Sequence, residues 1–348
     1  MKGEIRWGAA AVLGIAILAG SAAAESESSF SVLLRLQPEL VHVSGSAAEA
    51  RDGEGFFLTD GWGAGRKNSH NWGALFIDGS HPIGRDIEVF GRFGFNVNMQ
   101  GLADGDARQR EVQAGIRGPF GQVLAGRLET PYKLAALGWD PLNATFMQAR
   151  ANIGRSGGAF GHGGYVDNAL EYSLSRESFA LRLFAAVDDI ADIGSGSTAG
   201  NHAWAASLSA PVGPVELMLA HIDASEFDGG PDKRTGTKLG LRYRQADWTL
   251  AGHFEFRGRG LEDGDFLFLT AERATGSWRL AASHGRFEHD GEVGNDGRYY
   301  ALGARYAFSR QFSVHGGVRR TRRDVSGSEN IVGLGFRVIF DTGNLLTR

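Results

Sequence analysis

The side chains in this sequence best placed to act on a solute are arginines. Arg35, Arg92, Arg182, Arg242, Arg244, Arg279, Arg305, Arg319 and Arg337 each fall on the polar side of a stretch in which apolar and polar residues alternate. Acids on the same side are fewer: Glu39, Glu88, Asp167, Glu171, Glu216 and Glu255. A guanidinium stays charged at every physiological pH and holds its donors in a rigid plane. Such an array acts through its field rather than by making bonds. Other chemistries find little support. There are no cysteines, which removes thiolate ligands and nucleophiles. No serine or histidine sits in a nucleophile-elbow pattern. His284 and His289 match no zinc spacing. The glycine-rich run at 157–164 is followed by no Gly-Lys-Ser/Thr and reads as a flexible loop tip rather than a phosphate cradle. The sequence therefore predicts no catalytic residues, no cofactor and no metal.

The elements that must carry these arginines have a period of two, which is the period of a strand. In 86–100, Ile87, Val89, Phe93, Phe95, Val97 and Met99 oppose Asp86, Glu88, Arg92, Asn96, Asn98 and Gln100. In 247–257, Trp248, Leu250, Phe254 and Phe256 oppose Thr249, His253, Glu255 and Arg257. The segments 178–188 and 331–340 repeat the pattern. Turn-like links near 82–84, 118–121, 175–178, 211–214, 245–247, 275–277 and 309–311 alternate with longer polar links near 44–68, 101–106, 129–164, 188–200, 225–235, 258–264, 290–297 and 323–330. Seven short and eight long links join sixteen strands in an up-and-down meander. An even count with all tight turns at one end is the wiring of a closed bacterial outer-membrane barrel. Strand lengths near ten residues span a bilayer core, and Trp72, Trp204, Trp248, Trp278, Tyr243, Tyr300, Tyr306, Phe308 and Phe340 fall at strand ends, as an interfacial girdle requires. A β-sandwich would instead fill its inner faces with apolar side chains. The expected class is all-β, a transmembrane antiparallel barrel.

Residues 1–24 read as a cleaved secretory signal peptide: a charged start at Lys2 and Arg6, an apolar run from Trp7 to Ala19, then small residues to Ala24. The expected barrel covers 25–340, with a short C-terminal extension at 341–348. Removing the leader takes the formal charge from −4 to −5. That balance excludes nucleic acid as a partner, and the missing cysteines mean that an exported fold must hold without disulfides.

Several pieces resemble the Gram-negative general diffusion porins over nearly the whole mature chain. The run from Gln109 through Gly118-Pro119-Phe120-Gly121 to Gly126-Arg127 is similar to that family's strand–turn–strand ending in Gly-Arg. Asp140-Pro141-Leu142 resembles its constriction loop. Val166-Asp167-Asn168-Ala169-Leu170-Glu171-Tyr172 resembles the strand that follows, and Tyr300 to Arg310 resembles a late strand and its tight turn. The resemblance implies a homotrimer of barrels in outer-membrane lipid, with the link 129–164 folded into the pore. It implies basic residues on the wall, for which Arg35 and Arg110 are the candidates, with Arg127 at the junction of barrel and loop. Glu129 and Asp140 are the candidates for the acidic side. Arg92, Asp167 and Arg182 complete the expected pore lining. The chain departs from the family in three places. Eight residues follow Phe340, Tyr165 stands where a basic residue is common, and the second strand, around 70–79, lacks a wall arginine.

The implied function is passive diffusion of small hydrophilic solutes and ions across the outer membrane, with a weak anion preference set by the basic wall. The alternatives are a structural or adhesive barrel or receptor with a closed lumen, and a barrel enzyme, for which no convergent catalytic motif stands in the sequence.

Overall fold

The computed structural model describes residues 27–49, 53–60, 72–97, 109–150, 152–157, 161–187, 202–225, 234–258, 263–290, 296–343 and 345. The expected signal peptide lies outside them. The strands are β1 Ser29–Leu36, β2 Glu39–Ser44, β3 Gly55–Thr59, β4 Ala74–Pro82, β5 Glu88–Asn96, β6 Gln109–Gly118, β7 Gly121–Leu128, β8 Val166–Arg176 and β9 Phe179–Val187. There follow β10 His202–Val212, β11 Val215–Ala224, β12 Arg234–Gln245, β13 Trp248–Gly258, β14 Gly264–Thr275, β15 Trp278–His289, β16 Gly297–Ala307, β17 Phe312–Arg323 and β18 Gly327–Asp341. Two short helices accompany them, α1 Ser46–Glu49 and α2 Pro131–Leu137.

All strands join one antiparallel sheet that closes on itself. β18 pairs with both β1 and β2, β1 pairs with β4, and β2 pairs with β3. Thus β1 and β2 are collinear halves of one stave, and β3 and β4 are halves of the next. The eighteen segments make a sixteen-stave barrel. Closure leaves no strand edge open to aggregation. The first stave breaks at Gln37 and Pro38, where proline has no N–H to give the ladder. The expected long link at 44–68 is therefore divided. Its residues 55–59 belong to the second stave, and the other half of that stave starts at Ala74 rather than near 70. At the far end the ladder continues past Phe340. Asp341 ends β18, and Thr342 exchanges hydrogen bonds with Val32, the Val32 N–H donating to Thr342 Oγ1 at 2.9 Å and the Thr342 N–H to the Val32 carbonyl at 3.1 Å.

Burial is inverted relative to a soluble protein. Along β13, Ala251, His253, Glu255 and Arg257 are buried, while Trp248, Leu250 and Phe256 are exposed. The same holds for Leu217 and Leu219 on β11 and for Leu302 and Val318 on β16 and β17. Apolar side chains facing outward in a continuous band can be stable only against lipid. The polar side faces the enclosed space.

Candidate functional site

The segment between β7 and β8 does not stand off the barrel. It starts with α2, which Thr130 caps by accepting from the Lys133 N–H at 3.2 Å, with Pro131 in the first turn. The helix packs on β9, β10 and β11. The chain then crosses the enclosed face of β12 to β18. Tyr132, Trp139, Leu142, Phe146, Met147 and Ile153 are all buried there. Their apolar partners are on the wall: Phe266, Phe268, Phe287, Ala301 and Ile331 in one cluster, Met218, Ala220 and Ala251 in the other.

Glycines on the wall make room for this segment. A Cβ at Gly303 would fall 2.7 Å from Leu142 Cδ2, and one at Gly240 the same distance from the Trp139 ring. Gly285 passes against the backbone of Gly154 with no space for a side chain.

Two buried polar networks pin the segment. In the first, Glu255 accepts from Tyr132 Oη at 2.9 Å and from Ser156 Oγ at 2.6 Å, with His253 Nε2 at 3.0 Å. Lys238 Nζ donates to the Tyr132 carbonyl at 2.7 Å and to His162 Nε2 at 2.7 Å. His162, His253 and Glu255 bring three possible metal-ligand atoms within 4.8 Å of one another. The Lys238 ammonium already sits against one of them, so a cation is built in and a metal would have to displace it. Burial, beside Arg155 and Lys238, holds the His162 pKa well below its usual value. In the second network, Glu39 accepts from the Phe146 N–H at 3.1 Å and pairs with His315 Nε2 at 2.7 Å. Arg319 Nη1 donates to the Phe146 carbonyl at 2.8 Å, and Arg337 Nη2 to the carbonyls of Asn143 and Ala144 at 3.0 and 3.1 Å.

The segment thus lines the enclosed face from β9 round to β18. The enclosed face of β1 and β4 to β6 carries an arc of guanidinium groups. Arg35, Arg92 and Arg110 lie 4.6, 4.9 and 5.9 Å from the Phe76 ring. Arg35 and Arg337 lie 5.1 and 4.9 Å from the Trp72 ring. The second stave has no wall arginine of its own; it supplies instead the aromatic faces on which its neighbours' arginines stack, a cation–π arrangement. Arg92 is also fixed by Asp78 at 2.6 Å, and Arg110 by Tyr165 Oη and Asn96 Oδ1, both at 3.0 Å. Arg110 shares sequence parity with the outward Ala114. It reaches the inner side because the β5–β6 register slips by one residue between Phe93 and Phe95, opposite Gln109 to Val112. Such a bulge re-aims side chains.

The remaining expected residues fall elsewhere. Arg182 is on the inner wall, paired with buried Glu171 at 2.6 Å. It borders a hollow of about 270 Å³ beneath α2 that Glu216 and Arg242 also line. Arg127 and Asp167 pair at 2.7 Å at the strand rim, where Asp167 is 63% exposed. A second register slip, between Gly126 and Leu128 of β7, breaks the alternation that put Asp167 and Glu171 on one face; Asn168 within it has φ +51. Glu129 pairs with Lys133 at 2.5 Å. Asp140 is buried, accepts from the N–H groups of Leu142 and Ala149 at 2.9 Å, and holds the segment's own shape. Burial raises its pKa. It does not offer a free acid to a solute. Sequence reading missed Phe76 and the pinning residues Tyr132, His162, Lys238 and His315. It noted Tyr165 only as a departure. Here that ring is ringed by Arg110, Arg127 and Lys133, at 5.6, 5.6 and 4.9 Å.

A closed sixteen-stave barrel with a lipid-facing apolar band and a charged interior is an outer-membrane β-barrel channel. The chain belongs to the Gram-negative porin family, whose profile matches residues 9–326, and the protein is an outer-membrane diffusion channel. A search of curated protein sequences returned no match. Among solved structures, the fold is similar to the anion-selective porin from Comamonas acidovorans, with TM-score 0.73, 17% identity, and 90% of this chain and 100% of that chain covered. It is similar to OmpT of Vibrio cholerae in its trimer form, with TM-score 0.64, 12% identity and coverages of 90% and 100%. It is also similar to Salmonella typhi OmpF in complex with daunomycin, with TM-score 0.66, 14% identity and coverages of 91% and 98%.

Proposed function

We propose that the channel favours small anions and anionic polar solutes, and that the segment 129–164 narrows its passage against the arginine arc. The observation that carries this reading is a charge imbalance at one level of the barrel. Arg35, Arg92 and Arg110 line the uncovered wall and Arg337 its margin, with Asp78 and Glu111 as their acidic neighbours. The segment facing them carries Lys133, Arg150 and Arg155 against two acids, Glu129 and Asp140. Both acids are engaged, one with Lys133 and the other with backbone N–H groups. Selectivity in a pore follows the charged rings at its narrowest section. Two structural neighbours, an anion-selective porin and an outer membrane protein in its trimer form, support anion preference and a homotrimer. The outward apolar residues Leu40, Phe56 and Leu58 on β2 and β3 supply a surface for subunit contact. The reading includes removal of residues 1–24 on export, and passage without bond-making chemistry.

The test is a reversal potential across a salt gradient in planar bilayers, with the detergent-purified protein. Anion-favouring potentials with conductance steps in threes support the reading. A cation-favouring potential overturns the preference, and a folded barrel that conducts nothing overturns the channel and favours the closed-lumen alternative.

A further inference from the structure

The hollow beneath α2 stands apart from the arginine arc, on residues close to the tight turns. Ala180 on β9, Ser209 on β10 and Met218 on β11 stand abreast on the enclosed face. Arg182 and Ser207 are paired one step toward the long-loop end. Glu216 and Arg242 are paired one step toward the turns. The small side chains of Ala180 and Ser209 open the space, and Leu134, Ala135 and Trp139 of the inward segment cover it. Its volume is about 270 Å³. Liquid water takes about 30 Å³ per molecule, so the hollow has room for a solute of one ring rather than for a single ion. Short turns of such barrels face the periplasm. The hollow therefore lies on the periplasmic side of the segment.

The charges around it cancel. Arg182 pairs with Glu171 at 2.6 Å, and Arg242 pairs with Glu216. Two guanidinium groups and two carboxylates leave no net charge to attract an ion, in contrast to the arc. What the hollow offers is hydrogen-bonding capacity that its own residues do not use. Arg242 Nε is buried and has no hydrogen-bond partner among the described residues. The hydroxyls of Ser207 and Ser209 make no hydrogen bond among the described residues either. A buried donor left unpaired costs free energy, so a solute that supplies an acceptor there gains from it. Met218, Leu134 and the Trp139 indole, with the Arg242 guanidinium 5.3 Å from its ring centre, add apolar surface. A few polar groups on an otherwise apolar concavity are the makings of a small-molecule site.

An ion entering the hollow would have to pull one of these ion pairs apart. A neutral, polyhydroxylated ring would not. Each hydroxyl has one hydrogen to donate and two lone pairs to accept with, so adjacent hydroxyls bridge the carboxylate and the guanidinium of one pair at once. The geometry points to a subsite for a neutral polyol of monosaccharide size, with hydroxyls on Arg242, Glu216, Ser207 and Ser209 and the C–H face of the ring against Met218 and Trp139. The subsite retains uncharged solutes on the periplasmic side of the segment, where the arc has no hold on them. It rests on the docked position of the segment and not on the anion preference set by the arc.

The test is saturation-transfer difference NMR on the full protein in a zwitterionic, sugar-free detergent, with D-glucose and D-glucuronate as probes. Two variants are compared with the wild type. S209F fills the hollow from the wall. E216Q keeps its shape and most of its hydrogen bonds but leaves the Arg242 charge without its partner. The wild type should give a saturable glucose signal and bind glucuronate more weakly. S209F should bind glucose about tenfold more weakly, the loss of one or two hydrogen bonds to charged groups. E216Q should shift the ratio of the two affinities about tenfold toward glucuronate, a reversal that a merely loosened structure does not produce. Because E216Q is nearly isosteric, it decides the matter even where S209F fails to give a folded barrel band. No saturable glucose signal from the folded wild type overturns the inference. So does undiminished binding by folded S209F, tighter binding of glucuronate than of glucose by the wild type, or an unaltered ratio in E216Q. The reversal potential of the wild type reads the arc separately, so a failure here and a failure of the anion preference are distinguishable.

Discussion

Removing the Glu255 carboxylate should release the inward segment while leaving the barrel closed. Glu255 is fully buried, and three groups from the segment or its wall point at it: Tyr132 Oη, Ser156 Oγ and His253 Nε2. In Glu255→Ala, Lys238 keeps its ammonium at zero exposure with the Tyr132 carbonyl and the His162 imidazole as its hydrogen-bond partners. Glu255 is the acid whose field offsets that ammonium, across His162, and leaving a buried charge uncompensated costs about 3–5 kcal/mol. Tyr132 and Ser156 lose their acceptor as well. Against this stands the apolar burial of the segment, about 1.5–3 kcal/mol for each large side chain, largely offset by about 1–2 kcal/mol per ordered residue. A loss of about 4 kcal/mol, nearly a thousandfold in the docking equilibrium, is therefore of the size needed to populate undocked states. The strand ladders are untouched, so the barrel should remain heat-modifiable on gels. Two assays read the result. Planar-bilayer recordings should show open-channel noise and sub-states. Trypsin should cut after Lys133 and Arg155, which are buried in the docked form. The pair Glu255→Leu with Lys238→Met removes both charges together and should recover most of the quiet, protease-resistant behaviour. A quiet, trypsin-resistant Glu255→Ala channel would refute the pinning argument.

Three further outcomes follow from the same geometry. Arg110→Glu changes the charge at the arc by two units; at about 6 Å in water each unit contributes roughly 0.7 kcal/mol, against the anion and in favour of the cation alike, so the anion-to-cation permeability ratio should fall by up to about a hundredfold, read as a shift in reversal potential. Acidification should loosen the segment. Burial, with Arg155 and Lys238, lowers the His162 pKa in the docked form, so that form binds fewer protons than the undocked one, and docking weakens as pH falls below about 6.5 by at most about 1.4 kcal/mol per pH unit. Asp140, raised by burial, acts in the opposite sense, so His162→Gln should lessen the increase in open-channel noise between pH 7.5 and 5 and leave or reverse the remainder. Gly303→Leu would collide with Leu142 Cδ2 and should cost about 1–3 kcal/mol of docking, seen as trypsin cleavage without loss of the folded barrel band.

Much of the barrel is legible in the residues because one physical constraint governs every stave. A strand between lipid and water must alternate, and β13 does so from Trp248 to Arg257. The landing face of the inward segment is not legible for the same reason. In β14, Phe266, Leu267, Phe268 and Leu269 are all apolar, since one face meets lipid and the other meets Phe146, Ile153 and their neighbours. A run without alternation carries no inside or outside. The arginine arc was half legible. Arg35 and Arg92 keep their parity. Arg110 enters and Asp167 turns to the rim through register slips, which exchange the faces of single residues without altering composition. Asp140 shows a further limit. An acid in a loop reads as a charge offered to solvent, yet two backbone N–H groups claim it once the loop folds.

The chain is acidic as a whole, at −4, and its interior arc is basic. These statements are compatible because the signs are separated along the passage. Acids outnumber bases in three of the long links: Asp188, Asp189 and Asp192 in one, Glu226, Asp228 and Asp232 in another, Asp290, Glu292 and Asp296 in a third, with Lys233 and Arg234 as the bases. All three leave the barrel at the end away from the tight turns. Among the described residues, Asp263, Asp290, Asp296 and Asp324 stand at the rim of strand ends on that side, so a solute entering there meets acids before it meets the arginines. At physiological ionic strength fields fade over about 8 Å, so the rim does not cancel the arc, and each acts on the ion only as it passes. The net charge of the chain consequently says nothing about selectivity. Lowering the salt lengthens the reach of the rim more than that of the partly enclosed arc. The anion preference should therefore weaken as ionic strength falls. A preference that strengthens steadily on dilution would show that the arc alone sets the field and that the acidic links lie too far out to matter.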